Sequence, residues 1–300
     1  MHHKDKSGIF RYINKQKQLV MSNDVMQRFG TGLDSYLTKE QIREVAPVVF
    51  ATEPTNKGVS EKYLHVNTET VIDDLAKLGW LPVSAAQRRT KPRKDGSPTI
   101  RSKHMVSFQN PDLMIKGKNG DDACPRIIVT NSHDGLCSFQ FRIGIYRFIC
   151  SNGLVVADEE FSAFSIKHKG YTFEELQGVV AQAIADLPNK VKVLNKMQQR
   201  MLTPAEQRQL AIDAMALRST NPDTKYTEAS IEEVLKATRK EDEGDSLWLV
   251  FNRVQEAIIN GGYSAALRGA KVRKVKKIKS FEKDLQVNQE LFKLATAFVN

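Results

Sequence analysis

Residues 129–156 read VTNSHDGLCSFQFRIGIYRFICSNGLVV, and this stretch predicts the centre of the fold. Two turn signals, Asn131–Gly135 and Cys150–Gly153, bracket one long strand pattern from Leu136 to Ile149. Successive strand residues point to opposite faces of a sheet. One face then holds Phe139, Phe141, Ile143, Ile145 and, at its end, Arg147, and the other holds Gln140, Arg142, Gly144, Tyr146 and Phe148. The second face mixes aromatic side chains with arginine and glutamine, as in a surface that meets a polar, partly flat ligand.

Strand and helix signals flank this centre. A short helix signal comes first, and helical periodicity dominates after residue 172. Other strand patterns lie at 80–90, 100–109, 126–131, 154–156 and 163–168. This order predicts an α+β fold, in which a curved antiparallel β-sheet of hairpins is preceded by a short helix and followed by a helical C-terminal half. The predicted units are a flexible N-terminal segment (1–35), an α+β sheet domain (36–188) and a helical region (189–300) that contains a basic segment (268–279).

Four signals predict where helices begin or end. Thr68 or Thr70 is expected to cap the helix before the sheet, and Thr172 to cap the long helix after it. Pro188 is expected to kink or break that long helix because proline removes an interior hydrogen bond. Asp284 is expected to open the last helix, whose apolar residues recur at helical spacing.

The positive charge is concentrated in two segments. The chain of 300 residues has a net charge of +10 and a pI near 9.4. Residues 87–104 contain seven basic residues and one acid, and residues 268–279 contain seven basic residues and no acid. The summed positive charge of the two segments exceeds the net charge of the whole chain, so the rest of the chain is slightly acidic. Clustered positive charge of this kind indicates a polyanionic partner, most often nucleic acid.

Two alternatives remain for each basic segment. The first segment, a predicted hairpin, is either an arm that contacts phosphates or a solvated hairpin whose charges protect a sheet edge. The second carries Val272, Val275 and Ile278 three residues apart, which forms a narrow apolar stripe if the segment is a helix. That helix could lie on phosphates or on a membrane surface, and a solvated linker is the remaining reading. The predicted nucleic-acid-binding residues are Arg88, Arg89, Lys91, Arg93, Lys94, Arg101, Lys103, Arg142, Arg147, Lys167, His168, Lys271, Arg273, Lys274, Lys276 and Lys277.

Catalytic and metal-binding signals are weak. His133, Asp134 and His168 could act as general base, orienting acid and second histidine, but Asn-Ser-His-Asp-Gly is also the composition of a tight turn. A zinc site at His133 and Cys137 would need two further ligands that the spacing does not provide. We therefore predict no catalytic residues, no metal and no cofactor. The three cysteines suit reduced thiols of a cytoplasmic protein, and with no run of eighteen apolar residues we expect no membrane span.

Several segments resemble a known family. They are APVVFATEP from residue 46, residues 68–87, KHMVSF from 103, VTNSHDG with RIGIYRFICSNGLVV, KHKG from 167, SLWLVFNRVQEAIINGG, and DLQVNQELFKLA. The sequence resembles the phage/plasmid-like family defined by domain of unknown function 932, found typically in prophages, plasmids and integrative elements. The resemblance implies a mobile-element setting and leaves the biochemical role open. The order of elements is also similar to the core of single-strand annealing proteins of the RecT and Redβ type, which bind DNA in a basic groove and oligomerise.

These observations lead to one functional hypothesis and two alternatives. The chain is expected to bind or anneal single-stranded DNA in recombination or replication, as a homo-oligomer and without enzymatic activity. One alternative is an interaction protein that binds and inhibits a host defence protein. The other is a metal-dependent nuclease.

Overall fold

The computed structural model describes residues 36–56, 58, 59, 63–88, 102–113, 115, 122–147, 153, 154, 164–166, 171–219, 224–267 and 272–299. The helices are α1 (Lys39–Val45), α2 (Thr68–Lys77), α3 (Phe173–Gln199), α4 (Pro204–Ala216), α5 (Glu228–Leu235), α6 (Leu247–Asn260) and α7 (Phe281–Thr296), with 3₁₀ turns at Pro47–Phe50 and Lys240–Asp242. The strands are β1 (Leu81–Gln87), β2 (His104–Gln109), β3 (Ala123–Asn131), β4 (Phe139–Arg147), β5 (Gly153–Leu154), β6 (Phe164–Ile166), β7 (Thr224–Lys225), β8 (Ser264–Leu267) and β9 (Arg273–Lys274). The α+β class predicted from the sequence is confirmed.

The main sheet is an antiparallel meander in which β1, β2, β3 and β4 lie side by side in chain order. The outer edge of β4 is shared by two short strands, because β6 pairs with Phe139–Phe141 and β5 pairs with Ile145 and Tyr146. A second sheet, in the C-terminal half, contains β7, β8 and β9 in that order. The long strand predicted at 136–149 is observed as β4 (Phe139–Arg147), which pairs with β3 on one edge and with β5 and β6 on the other.

One face of the main sheet is apolar and packs against helices. The buried side chains of this apolar face are Val106, Phe108, Ile127, Val129, Phe139 and Phe141. Ile42 of α1, Leu75 of α2 and Leu176 at the start of α3 belong to the same core. Phe139 and Phe141 of β4 point into this core, as the alternation of the sequence predicts.

A second core fills the helical half and reaches the same sheet face. It contains Leu194 and Met197 of α3 together with buried residues of α4 to α7, and Phe251 and Phe292 meet edge to face with centroids 6.1 Å apart. Ile145 of β4 lies in this second core. Because α3 contributes to both cores, the boundary predicted at residue 188 falls inside a helix that spans them.

Two predicted helix starts are wrong, and the long helix is not broken at Pro188. Asn67 caps α2, with its Oδ1 accepting from the amide of Glu69 at 2.9 Å, while the Thr68 hydroxyl instead bonds a buried histidine. Helix α3 begins after Thr172 as predicted but continues through Pro188 to Gln199, since both of its halves are fixed by packing in the two cores. Helix α7 begins at Phe281 with Ser280 as its cap, three residues before the predicted start.

A buried ion pair links the main sheet to the helical half. Arg147, the last residue of β4, donates from Nη1 to the carboxylate of Asp242, and the two side chains are 1% and 0% exposed. The other oxygen of Asp242 accepts from Arg239 at 3.2 Å, and Arg239 also binds Glu256. The guanidinium of Arg147 lies 5.8 Å from the ring centre of Trp248. The prediction that Arg147 lines an open sheet surface is wrong, because it belongs to the apolar face and ends in the interior.

Replacing Arg147 with methionine should lower the free energy of unfolding by about 3 kcal/mol, because the substitution leaves the buried Asp242 carboxylate with one cation fewer. The double variant Arg147→Met/Asp242→Leu should recover most of that loss, since both buried charges are then absent. Urea unfolding monitored by circular dichroism measures both effects.

The matched control is Arg208→Met, which removes an arginine from the exposed pair with Glu228 and should cost less than about 1 kcal/mol. Equal losses for Arg147→Met and Arg208→Met would contradict a structural role for the buried pair.

Candidate functional site

The turn between β3 and β4 is a buried polar hub. Asn131 donates from Nδ2 to the carbonyl of Val66 and to the hydroxyl of Thr68, both at 3.0 Å. Its Oδ1 accepts from the amide of Ser132 at 2.8 Å. Gly135 closes the turn at φ +75°, a conformation that favours glycine. The turn predicted from the sequence is thus present, and its side chains tie α2 to the sheet.

The loop before α2 is held by the same hub. Thr55 donates its amide to the carbonyl of His133 at 2.7 Å, and Tyr63 donates its hydroxyl to the carbonyl of Ser132 at 3.0 Å. Asp134 accepts from the amide of Ser102 at 2.9 Å and from its own turn at Leu136. The Asp134 carboxylate therefore joins the turn to the chain that enters β2.

Three histidine rings pack against one another inside the hub, with an angle of 38° between the planes of each contacting pair. The ring of His133 lies between those of His65 and His104, with centroid separations of 4.4 and 4.7 Å. The carbonyl of Ser102 lies 2.7 Å from Nδ1 of His104 and can only accept, so Nδ1 carries the proton and Nε2 accepts from Thr68 at 2.8 Å. Burial lowers the pKa of His104 to about 4. The ring is therefore neutral near pH 7.

These contacts give His133 and Asp134 of the turn a structural role. His133 is fully buried and Asp134 is 2% exposed, so neither faces solvent where a substrate could meet it. Within the described parts of the chain, no group of three or more His, Cys, Asp or Glu side chains is placed to hold a metal ion. His168, the third residue of the catalytic interpretation, lies outside the described residues. Cys124 and Cys137 are free thiols, and burial raises the pKa of Cys124 to about 11.

The opposite face of the sheet carries the polar residues and is largely buried. This polar face comprises Ser84, Met105, Ser107, Gln109, Arg126, Ile128, Thr130, Gln140, Arg142 and Tyr146. The guanidinium of Arg126 lies 3.4 Å from the ring centre of Tyr146, and its Nη2 is 3.4 Å from Oε1 of Gln109. Arg142 is half-buried and donates to Thr130 at 3.1 Å and to Gln140 at 2.5 Å. Burial lowers the pKa of both arginines, which nevertheless remain cations near neutral pH.

The first turn of α7 covers the middle of the polar face. Phe281 and Leu285 form a small buried cluster with Met105 and Ile128. The sequence predicted polar residues on this face of β4, and the structure places them there. The sequence analysis predicted neither that α7 covers this face nor that β2 and β3 contribute residues to it. Their signal was available: Gln109 and Arg126 alternate with the apolar residues of their own strands. The polar, partly flat ligand predicted for this face cannot stack on the ring of Tyr146 from the side that the Arg126 guanidinium covers.

The structure describes only the base of the first basic segment. Arg88 donates its amide to the carbonyl of Lys103 at 2.7 Å, so the hairpin pairing continues one step beyond β1 and β2. Arg88 is exposed, and Lys103 lies 3.9 Å from Glu282 of α7. The predicted binding residues that lie outside the described parts of the chain are Arg89, Lys91, Arg93, Lys94, Arg101, Lys167, His168 and Lys271.

The second basic segment is extended where it is described, and the helical interpretation of it is wrong there. Arg273 and Lys274 form β9, and Val275 exchanges backbone hydrogen bonds with Gly262 and Tyr263 at 2.8 and 2.9 Å. A Cβ at Gly261 would lie 2.3 Å from the carbonyl oxygen of Val275, so only glycine permits this approach. The backbone of the segment is thereby fixed against the end of α6.

The side chains of this segment remain outside. Arg273, Lys274, Lys276, Lys277 and Lys279 are exposed, while Ile278 is buried and its amide bonds the carbonyl of Ile259 at 2.9 Å. Lys274 pairs with Glu233. The segment leads directly into α7, whose first turn pairs with Lys103. The ends of the two basic segments, distant in sequence, therefore meet at the beginning of α7.

Comparison with known proteins gives the family. The model for the domain of unknown function DUF932 matches residues 57–291. The chain belongs to the DUF932 family. Two relatives from Escherichia coli strain K12 are UPF0380 protein YafZ, 30% identical over 91% of this chain and 96% of its own length, and UPF0380 protein YfjQ, 30% identical over 89% and 95%. No solved structure gives a significant match.

The DUF932 match includes the β3–β4 turn, the polar face and the second basic segment, all of which lie within residues 57–291. The resemblance stated from the sequence motifs is confirmed. In the described part of this DUF932 chain, no helix is both long and apolar enough to cross a membrane.

The stability of the DUF932 domain should fall as the pH is lowered from about 6.5 to about 4, because the pKa of His104 is about 4 when folded and 6.5 otherwise. In this window the unfolded chain binds the proton and the folded chain does not, which favours unfolding as the pH falls. The shift corresponds to roughly 3 kcal/mol. Urea unfolding at pH 7, 6, 5 and 4 should show a shallower decline for His104→Gln than for wild type. Parallel curves would show that His104 does not titrate in this way.

Proposed function

We propose that this DUF932 protein binds nucleic acid, single-stranded DNA in preference to duplex, through the exposed cations of its two basic segments, and that it does so in the recombination or replication of a mobile element. The observation that supports this proposal is the fixed group of exposed cations beside α7. Among the described residues, Arg88, Arg273, Lys276, Lys277 and Lys279 are exposed and make no ion pair. Each adds to a local positive potential that attracts a polyanion.

The second basic segment has a fixed backbone, which distinguishes it from a solvated linker. Like charges held close together repel, and a free linker would separate them. Here the hydrogen bonds of Val275 and the burial of Ile278 hold the backbone in place while the neighbouring lysines point outward. Cations fixed in this way release the counterions of a bound strand without ordering the chain first.

The covered polar face favours contacts to the phosphate backbone over contacts to bases. Because α7 packs over Met105 and Ile128, stacked bases cannot lie flat on this part of the sheet. Binding through phosphates carries little sequence information. We place single-stranded DNA first because the cations lie on two separate elements, and a flexible strand can follow both, whereas duplex DNA is stiff over about 150 base pairs.

The triple substitution Lys276→Ala/Lys277→Ala/Lys279→Ala should weaken binding of an oligothymidylate and reduce its salt dependence. Each phosphate contact on a single strand contributes about 0.7 to the slope of log K against log salt concentration, so the loss of three contacts should reduce that slope by about 2. Fluorescence anisotropy across a salt series measures the slope, and a duplex of equal length measures the preference for single strands.

The matched control removes three exposed lysines from the helical half, Lys192→Ala/Lys196→Ala/Lys236→Ala, and changes the net charge equally. The control should retain the wild-type slope. The proposal is wrong if wild-type protein shows no salt-sensitive affinity for either DNA, or if the two triple variants lose affinity to the same extent.

A further inference from the structure

Four buried residues of the polar face form a contiguous polar group. Ser107 and Gln109 of β2 are fully buried, Ser84 of β1 is 4% exposed, and Arg126 of β3 is 2% exposed. None of them belongs to the β3–β4 hub or to the Arg147–Asp242 pair. Polar side chains are mostly found at protein surfaces, and those that are buried are normally satisfied by hydrogen bonds.

Three of these side chains have atoms left unsatisfied. In the described part of the chain, Ser84 Oγ, Ser107 Oγ and Gln109 Nε2 find no hydrogen-bond partner. Gln109 uses its other atom, Oε1, to accept from Arg126 at 3.4 Å. Burying a polar group without a hydrogen-bond partner costs free energy. A ligand that bonds to these atoms would remove that cost, which favours binding at these positions.

The register of the sheet brings the unsatisfied atoms together. Ser84 lies directly opposite Ser107, and Gln109 lies directly opposite Arg126. Opposed residues have Cβ atoms about 5 Å apart. Ser107 and Gln109 are two positions apart on one strand, which separates them by about 7 Å. The four side chains thus lie close enough together to contact one small oxyanion.

A β-bulge places Ser84 in this group. The register between β1 and β2 shifts between Pro82 and Ser84, so that two residues of β1 span one step of β2. Without the bulge, Val83 would lie opposite Ser107, and Ser84 would face the apolar core opposite Val106. With it, Ser84 faces Ser107, and Ala85 takes the apolar position. Bulges redirect side chains in this way at functional sites.

We propose that Ser84, Ser107, Gln109 and Arg126 form a binding site for one oxyanion of the phosphate class. The amide Nε2 of Gln109 and the guanidinium of Arg126 are donors, and both serine hydroxyls can donate, so the complementary ligand is rich in acceptors. Arg126 supplies positive charge in a place where burial strengthens electrostatic attraction. The site is distinct from the exposed cations, and the inference does not depend on the proposed nucleic-acid binding.

Thermal unfolding of the full chain tests the site. Inorganic phosphate, a 5′-mononucleotide and an oligothymidylate are compared with sodium chloride at equal ionic strength. Wild-type protein should gain thermal stability with phosphate or with the mononucleotide, because a ligand that binds only the folded state stabilises it. The comparison of inorganic phosphate with the mononucleotide shows whether the site binds the free anion or the phosphate group of a nucleotide.

Ser107→Ala is the decisive variant. It removes an unsatisfied buried hydroxyl without a large change of shape, so the Tm of the ligand-free protein should rise. The affinity for the oxyanion should fall about tenfold, because one charge-assisted hydrogen bond is lost. Lys192→Gln, which removes an exposed cation of α3 outside both proposed sites, should keep the wild-type response.

Three results would overturn the site: no stabilisation beyond that of sodium chloride with either phosphate ligand, equal stabilisation of wild type and Ser107→Ala, or a Tm of ligand-free Ser107→Ala below that of wild type. The last result would mean that water satisfies the hydroxyl in the folded protein. Loss of DNA binding in the triple lysine variant with an unchanged phosphate response would separate the two proposals.

Discussion

The sheet half of the protein depends on the burial of the turn between β3 and β4, because the polar groups of this turn lose their contact with water. Residues 131–134 of the turn are buried, so their polar groups must find partners inside the protein. They find them on three separate segments: at Thr55 and Tyr63, at the start of α2 through Thr68, and at Ser102 before β2. Each of these segments is positioned by a hydrogen bond that the turn needs. The position of α2 over the sheet follows from the same requirement, because Thr68 bonds both Asn131 and His104.

Buried polar groups therefore divide into those that hold the fold and those that the fold leaves unsatisfied. Asp134 accepts two backbone hydrogen bonds, and Arg147 meets Asp242, so both residues are accounted for by structure. Ser84, Ser107 and Gln109 are equally buried but retain unsatisfied atoms among the described residues. A group that only stabilises the fold would be expected to resemble the first class. The proposed oxyanion would supply the partners that these three side chains lack among the described residues.

The sequence predicted what is local and missed what depends on distant partners. Alternation along β4 predicted its two faces, and the Asn-Ser-His-Asp-Gly composition predicted its turn, because both signals lie within a few residues. Arg147 was assigned to the surface because its partner Asp242 lies 95 residues away. The cover over the polar face comes from Phe281, more than a hundred residues beyond β4, and no pattern within β4 indicates it. The bulge at Val83 was invisible for another reason, since it depends on which residue of β2 each residue of β1 meets.

Helix α7 brings the two proposed sites into one physical unit. Its first turn rests on Ile128 of the polar face through Phe281 and Leu285, and the lysines of the second basic segment end one residue before its cap at Ser280. Ile128 is the neighbour of Ser107 in the sheet register. An anion among Ser84, Ser107 and Gln109 must therefore fit beside the surface on which this turn rests. The proposed nucleic-acid strand would contact Lys276–Lys279, which immediately precede the same turn. If occupation of one site changes the affinity of the other, thermodynamic linkage requires the same factor in both directions.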